Sequence, residues 1–177
     1  MSYIIAQVLA LFAILFWTLS IQNKKKKDVL AFQIFASLFY AIHFLLLGGY
    51  SAFIIDLITV ARLYTFYIDE KKHGEIRKSL LYIFIVVVLI SGIFTYDGPI
   101  SLLPVLIGLL YTVSTWVKNM KCLRIVYIIC AVLWLIYNFE FRAVVAAGGN
   151  LLEIASGIVS MIRFDRRKKN NKNKKRS

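Results

Sequence analysis

The sequence predicts an all-α membrane protein with seven transmembrane helices, arranged as two parallel three-helix bundles joined by an inverting linker helix. Three observations predict this fold class. Of the 177 residues 60% are hydrophobic, with a mean hydropathy of +0.73, against roughly 45–50% apolar residues in soluble domains. The apolar residues form seven segments near the ~20 residues that a helix needs to cross hydrocarbon. The chain also repeats itself at a constant offset.

The seven segments are separated by short polar stretches and leave no room for a soluble domain. They run over residues 3–22, 29–48, 50–68, 79–96, 100–117, 122–139 and 144–163. None shows the alternation of a membrane β-strand. No basic residue precedes the first segment, which predicts a retained span rather than a cleaved signal peptide.

Basic residues lie in four clusters, and each cluster follows an odd-numbered segment. These clusters hold 20 of the 22 Lys and Arg residues of a chain whose net charge is +13. Cytoplasmic loops carry such an excess of cations, so we expect the N-terminus outside and the C-terminus in the cytoplasm of a bacterial inner membrane. This placement favours an electrostatic anchor to anionic lipid over a nucleic-acid partner.

The second half of the chain repeats the first at an offset of 94 residues without a gap. The run from Trp17 to Ser20 returns as Tyr111 to Ser114. Further along, Tyr40 falls on Trp134, and Asp56 falls on Asn150. Parallel repeats of this kind occur in transporters that hold a polar site midway through the bilayer.

The repeat divides the chain into four parts. A first three-helix bundle with its cytoplasmic loop covers 1–78, and a second bundle covers 99–163. Because each copy has three spans, the second copy would be inverted in the membrane unless an extra span, at 79–98, restored its direction. Residues 164–177 form a basic cytoplasmic tail.

Asp56 and Asn150 are the leading candidates for a binding site. An ionisable group at mid-membrane costs at least ~2.5–3.5 kcal/mol, so each one needs a reason. As equivalents in two parallel copies, Asp56 and Asn150 would face each other across a central cavity and bind the hydroxyls or amides of a solute. Asp56 could also take a proton there. The alternative is structural, with Asp56 paired to Arg62 or capping a helix contact.

Glu153 and Arg62 are predicted to form an ion pair between the copies. Glu153 lies three residues after Asn150, hence on about the same helix face. Arg62 lies six residues after Asp56, about 9 Å further toward the cytoplasm at ~1.5 Å per residue. Such a pair would close the cytoplasmic side of a cavity or lock the copies together.

Aromatic residues and one histidine complete the predicted site. Tyr40 and Trp134 could form aromatic walls against a solute. His43, equivalent to Tyr137 in the other copy, could bind the solute or act as a hydrogen-bonded packing residue.

The sequence contains no pattern of an enzyme. It has no metal-ligand spacing, no GxSxG motif and no glycine-rich phosphate loop. Cys122 and Cys130 do not form a CxxC and are expected to be small apolar fillers. We therefore expect no catalysis, no cofactor and no metal.

Two stretches carry a resemblance to known families. The run from Ala131 to Tyr137, with Asn150 sixteen residues after Trp134, resembles the second and third helices of the SWEET and SemiSWEET (PQ-loop) sugar transporters. That resemblance implies two triple-helix bundles joined by an inverting helix, with Trp134 and Asn150 at the sugar site. The stretch from His43 through Arg62 resembles the YgjV-type bacterial inner membrane proteins, a seven-span group similar to SWEET at superfamily level.

Two departures from the SWEET pattern bear on the solute. The Pro-Gln signature near the end of the first helix is missing, because no proline occurs from Phe16 to Gln22. Asp56 stands where the family has Asn, which suggests a cationic or proton-coupled solute rather than a sugar.

These observations predict a membrane carrier for a small polar solute, bound at a mid-membrane site between the repeats. The alternative is a non-transporting receptor or assembly protein on the same scaffold, in which the basic tail docks a cytosolic partner. A vitamin or nucleoside carrier of the PnuC type shares the three-one-three plan but would need a more aromatic and carboxylate-rich cavity than the sequence locates. The expected partners are the lipid bilayer and the unidentified solute, and the sequence leaves homo-oligomerisation open.

Overall fold

The described part of the chain folds into seven α-helices. The structure, a computed structural model, describes residues 2–23, 25–117 and 119–174, with the backbone alone at 2, 120 and 164–174. A 3₁₀ turn at Pro99–Ser101 precedes α5, and the described residues contain no strand. The helices are α1 (Ser2–Gln22), α2 (Lys26–Leu47), α3 (Tyr50–His73), α4 (Lys78–Phe94), α5 (Leu102–Trp116), α6 (Met120–Glu140) and α7 (Val144–Lys174).

Among the described residues, six helical stretches of at least 18 residues are apolar enough to cross a membrane, where the sequence predicts seven. They are Tyr3–Gln22, Lys26–Leu47, Tyr50–His73, Pro99–Trp116, Lys121–Glu140 and Val144–Arg163. The exception is α4, which has 17 residues and a length of about 25 Å at ~1.5 Å per residue. It stops at Phe94 because the chain turns through Asp97 and Gly98, whose φ of 86° suits glycine alone.

Glycine also makes the tight turn between α2 and α3. Gly48 has a φ of 78° and ends α2 in the left-handed conformation. The N–H of Gly49 then donates to the carbonyl of Phe44 at 2.9 Å, and α3 begins at Tyr50. This short connection forces α2 and α3 to run antiparallel.

The outer surface is apolar along the helices. Large aliphatic and aromatic side chains are exposed on every helix, and in α4 Ile93 is 76% and Phe94 is 85% exposed. A soluble monomer rarely exposes so much contiguous apolar surface. Lipid is the medium that such a surface fits.

Six of the helices form a closed ring. The neighbours follow the order α1, α2, α3, α5, α6, α7 and return to α1, while α4 packs against α3 and α5. Near their first residues, the Val145 N–H donates to Gln7 Oε1 at 3.2 Å, and near the other end Gln22 Nε2 donates to Ser156 Oγ at 2.6 Å. Helices α1 and α7 therefore run side by side in the same direction.

The helix boundaries follow the 94-residue repeat. Helix α2 begins at Lys26 and α6 at Met120, 94 residues later, and α3 and α7 begin with the same offset. Helices α1 and α5 end with it too, at Gln22 and Trp116. The repeat pairs α1 with α5, α2 with α6 and α3 with α7. When each helix is replaced by its equivalent, the α1–α7 contact becomes the α5–α3 contact, so the order of neighbours in the ring is the same.

The two copies contact each other along two seams, α1–α7 and α3–α5, and at each seam an isoleucine packs onto a glycine. On the α1–α7 seam Ile14 packs onto Gly149, where a Cβ would overlap Ile14 Cγ1. On the α3–α5 seam Ile55 packs onto Gly108, where a Cβ would lie 3.4 Å from Ile55 Cγ2. Ile14 is the repeat equivalent of Gly108, and Ile55 is that of Gly149. Small residues let membrane helices approach closely, so both seams are places of close backbone contact.

The predicted basic tail is described in part. The backbone of α7 continues to Lys174, while the side chains of 164–174 and all of 175–177 lie outside the described residues. Lys24 and Lys118 of the predicted basic clusters also lie outside them.

Candidate functional site

A small cavity lies inside the ring of six helices. Its volume is about 30 Å³, room for two or three water molecules at ~10–15 Å³ each but far too little for a sugar. All six ring helices line it, and α4 does not. The lining residues are Trp17, Ser37, Tyr40, Phe44, Ile55, Asp56, Thr59, Ile107, Tyr111, Trp134, Asn138, Asn150 and Glu153.

Ten of these thirteen residues form five repeat-equivalent pairs. Each pair is separated by 94 residues and contributes both members to the one cavity. The pairs are Trp17 with Tyr111, Tyr40 with Trp134, Phe44 with Asn138, Asp56 with Asn150, and Thr59 with Glu153. The cavity is therefore built where the two copies meet, with corresponding positions on either side.

A chain of hydrogen bonds runs along one side of the cavity. Asn138 Nδ2 donates to Asn150 Oδ1 at 2.8 Å, and Asn150 Nδ2 donates to Glu153 Oε2 at 3.4 Å. The hydroxyl of Tyr40 lies next to Glu153. The second bond is long and weak, so Glu153 is held in place but keeps acceptor capacity toward the cavity.

Asp56 lines the cavity from the other copy with fewer partners. It is 6% exposed, and its Oδ2 is buried with no hydrogen-bond partner among the described residues. Arg62 attracts it electrostatically, but no basic side chain of the described residues lies within 4.0 Å of Asp56 or Glu153. The alternative in which Asp56 is held in a close ion pair with Arg62 is not what the structure contains.

The predicted ion pair between Arg62 and Glu153 does not form. Arg62 is 1% exposed and does not line the cavity. Its Nη1 donates to the Gly108 carbonyl at 3.0 Å and to Thr112 Oγ1 at 2.5 Å, both on α5. Arg62 therefore belongs to the α3–α5 seam, and Glu153 belongs to the cavity.

His43, predicted to bind the solute, does not line the cavity, although its ring lies 4.9 Å from that of Phe44, which does. It is fully buried, and its Nδ1–H donates to the Ala6 carbonyl at 2.8 Å. Its repeat equivalent Tyr137 shares a hydrogen bond of 3.0 Å with Ser51. Each of the two residues joins two helices, as the packing alternative for His43 expects.

Aromatic rings lie at two ends of the cavity. At one end the Trp17 ring lies 5.5 Å from that of Tyr111, and both contact Tyr127. At the other end Phe44 stacks on Trp134 at 5.5 Å. The polar residues of the cavity therefore lie between two groups of aromatic rings.

The structure brings Asp56, Asn150, Tyr40 and Trp134 together and adds residues that the sequence reasoning missed. These are chiefly Trp17, Tyr111, Phe44, Asn138 and Thr59. The signal was present, because every one of them has its equivalent at the 94-residue offset. Pairs of unlike chemistry, such as Phe44 with Asn138, escaped a search for like residues.

A comparison with known protein families shows which family the chain belongs to. A family model described as bacterial inner membrane protein, Imp-YgjV, matches residues 4–168. The chain belongs to the Imp-YgjV family. Its location is thus a bacterial inner membrane, and the match covers every cavity residue of this Imp-YgjV protein. No curated protein and no solved structure matches the chain.

The Imp-YgjV cavity is suited to holding a polar molecule. The described residues contain no group of three or more His, Cys, Asp or Glu side chains that could hold a metal ion. The cavity offers instead two carboxylates, two amides and several aromatic faces. Such a set offers both hydrogen-bonding groups and ring faces, as polar-ligand sites in proteins do.

Proposed function

We propose that this Imp-YgjV protein is a membrane carrier for a small polar solute, which binds midway through the bilayer between the two copies. The observation that carries the proposal is the set of five equivalent pairs around a single cavity. Packing alone gives no reason for polar residues from both copies to converge there, since each buried polar group costs free energy in lipid. A shared binding site gives that reason.

The arrangement that we propose is three-one-three, as in SWEET-type transporters. Helices α1–α3 and α5–α7 are the two bundles, and α4 is the inverting linker between parallel copies. The parallel course of α1 and α7 and the contacts of α4 with α3 and α5 support it. Basic residues at the starts of α2 and α6 and between α3 and α4 support an N-terminus outside and a C-terminus in the cytoplasm.

Transport requires the two copies to rock about the site. The Ile14–Gly149 and Ile55–Gly108 seams are the contacts between copies that such a movement would change. The aromatic rings at the two ends would separate in turn. A cavity of only about 30 Å³ fits an intermediate in which neither side is open.

Cysteine accessibility tests this proposal directly. Ser37 lines the cavity, is 2% exposed, and is replaced by cysteine with little change of volume. The background variant carries Cys122→Ser and Cys130→Ala, and both cationic and anionic membrane-impermeant thiol reagents are applied to vesicles of each orientation. A carrier exposes Ser37→Cys to reagents from both sides. Ser91→Cys on α4, where Ser91 is also buried (8% exposed) but lies outside the cavity, is the matched control and should stay unlabelled.

The receptor or assembly alternative makes a different prediction. A protein that does not alternate would expose Ser37→Cys from one side only or from neither. Labelling from one side only, or none at all, would refute transport. The cavity could then still bind a solute in a receptor. A carrier of the PnuC type remains compatible, since five aromatic side chains and two carboxylates line the cavity.

A further inference from the structure

The cavity is lined by two carboxyl groups and by no basic side chain. Asp56 and Glu153 line it, and none of the lining residues is Lys, Arg or His. Arg62, the buried cation that attracts Asp56, directs Nη1 to Gly108 and Thr112 on the α3–α5 seam. A carboxyl group that ionises here has no close cation in the protein, and unpaired buried charge is costly, so a bound cation would stabilise the ionised form.

Three polar atoms of the cavity lining are buried without a hydrogen-bond partner among the described residues. Asp56 Oδ2 and Asn138 Oδ1 are acceptors, and the Tyr40 hydroxyl, next to Glu153, can donate or accept. Glu153 accepts one long bond from Asn150, at 3.4 Å. Since buried polar groups in folded proteins nearly always find partners, these oxygens call for a ligand that donates N–H or O–H groups.

Aromatic rings lie on both sides of these oxygens. Five lining side chains are aromatic, with Trp17 and Tyr111 at one end and Tyr40, Phe44 and Trp134 toward the other. At ~1.5 Å per residue, Asp56 lies about 9 Å from the start of α3, and Glu153 lies about 13 Å from the start of α7. Both carboxyl groups thus lie between the two aromatic ends. The faces of such rings attract organic cations.

We infer that the solute is a small organic ammonium ion, whose N–H groups bind Asp56 and Glu153 while its carbon skeleton contacts the aromatic walls. This inference rests on the proposed carrier function and names its substrate class. An anion would meet two carboxylates, and a hard metal ion would need several oxygens in place of aromatic faces. The present cavity admits no more than water, so the bundles must separate to take up the ion.

Matched probes of equal shape and different charge test the substrate class. The purified full chain carrying Trp116→Phe retains Trp17 and Trp134, both at the cavity, as its fluorescent residues. It is titrated with butylammonium, butan-1-ol and butyrate, and with benzylammonium, benzyl alcohol and benzoate. The inference expects saturable fluorescence changes with the ammonium ions, at affinities at least tenfold higher than with the alcohols or acids.

Carboxylate variants locate the binding. Glu153→Gln and Asp56→Asn should each weaken ammonium binding at least tenfold. Glu140→Gln and Asp97→Asn, conservative changes at exposed ends of helices, are the matched controls and should bind like the parent. Thermal unfolding checks that each variant is folded, and the two cavity variants act as independent tests.

The results separate this inference from the carrier proposal. Equal or tighter binding of an alcohol or an acid, lost binding in the exposed controls, or no binding of either ammonium ion would overturn the substrate class. None of these results bears on whether Ser37→Cys is labelled from both sides, which decides transport by itself.

Discussion

Replacing Gly149 with alanine should overpack the seam between α1 and α7. The added Cβ would lie 2.5 Å from Ile14 Cδ1 and closer still to Cγ1, where carbon atoms normally keep about 3.5–4.0 Å. Overpacking of this kind costs about 1–3 kcal/mol. The side chain of Ile14 and the backbone of α1 must move to accommodate it.

The neighbouring glycine provides a matched control. Gly148 is on the same helix and exposed, and a Cβ there meets nothing within 4 Å. Gly148→Ala should leave the free energy of unfolding unchanged or raise it by up to about 1 kcal/mol, through helix propensity. The difference between the two alanine variants therefore isolates the overpacking at the seam.

Denaturation of the purified protein in mixed micelles measures this difference. A second variant, Ile14→Ala, removes the two side-chain atoms that the new Cβ would strike, so Gly149→Ala should cost at least about 0.5 kcal/mol less in that background. Equal stability of the Gly149 and Gly148 variants, or a cost that Ile14→Ala does not reduce, would refute the close contact of α1 with α7.

Three further changes test other parts of the structure. Asn150→Ala removes the side chain that accepts from Asn138 and donates to Glu153, so the free energy of unfolding should fall by about 1–3 kcal/mol. A fall of less than about 0.5 kcal/mol would contradict the hydrogen-bond network. Asp69→Asn weakens three bonds of 2.8–2.9 Å from Arg77 and His73, and should speed proteolysis between α3 and α4, whereas the exposed Asp97→Asn should not. A C-terminal alkaline phosphatase fusion should be inactive and a fluorescent-protein fusion bright, and the reverse would contradict the proposed orientation.

Most of the helical pattern is predictable because its causes are local. Apolar segments of membrane length and glycine-bearing turns mark the helices in the sequence, and the repeat extends to their boundaries. The difference concerns α4, predicted over 79–96 and observed at Lys78–Phe94, whose 17 residues are at the lower limit for a helix that crosses hydrocarbon. Hydropathy marked the segment, but the turn through Asp97 and Gly98 ended the helix earlier.

The candidate site was partly predictable, because the repeat indicates which residues lie at the same depth and which of them face the same cavity. Residues that match in two parallel copies must lie at the same depth, which is why Asp56 and Asn150 line one cavity. A search for like chemistry could not find Thr59 with Glu153, where one copy carries a small hydroxyl and the other a carboxylate.

The roles of His43 and Arg62 could not be predicted in the same way. Both bind backbone carbonyls, of Ala6 and Gly108 respectively. Every residue offers a carbonyl, so the sequence does not show which one a buried donor will reach. Helix rotation and the close approach allowed by Gly108 decide it.

Asp56 and Asn150 face one cavity from two equivalent positions. A double-mutant cycle of Asp56→Asn and Asn150→Asp tests this arrangement, with the free energy of unfolding as the measurement. Asn150→Asp alone places a third carboxylate beside Glu153 and Asp56 and should destabilise the fold. The double variant keeps the number of cavity carboxylates at two, so it should recover at least about 0.5 kcal/mol relative to the sum of the single changes. Effects that add within about 0.3 kcal/mol would show that the two positions do not share a cavity.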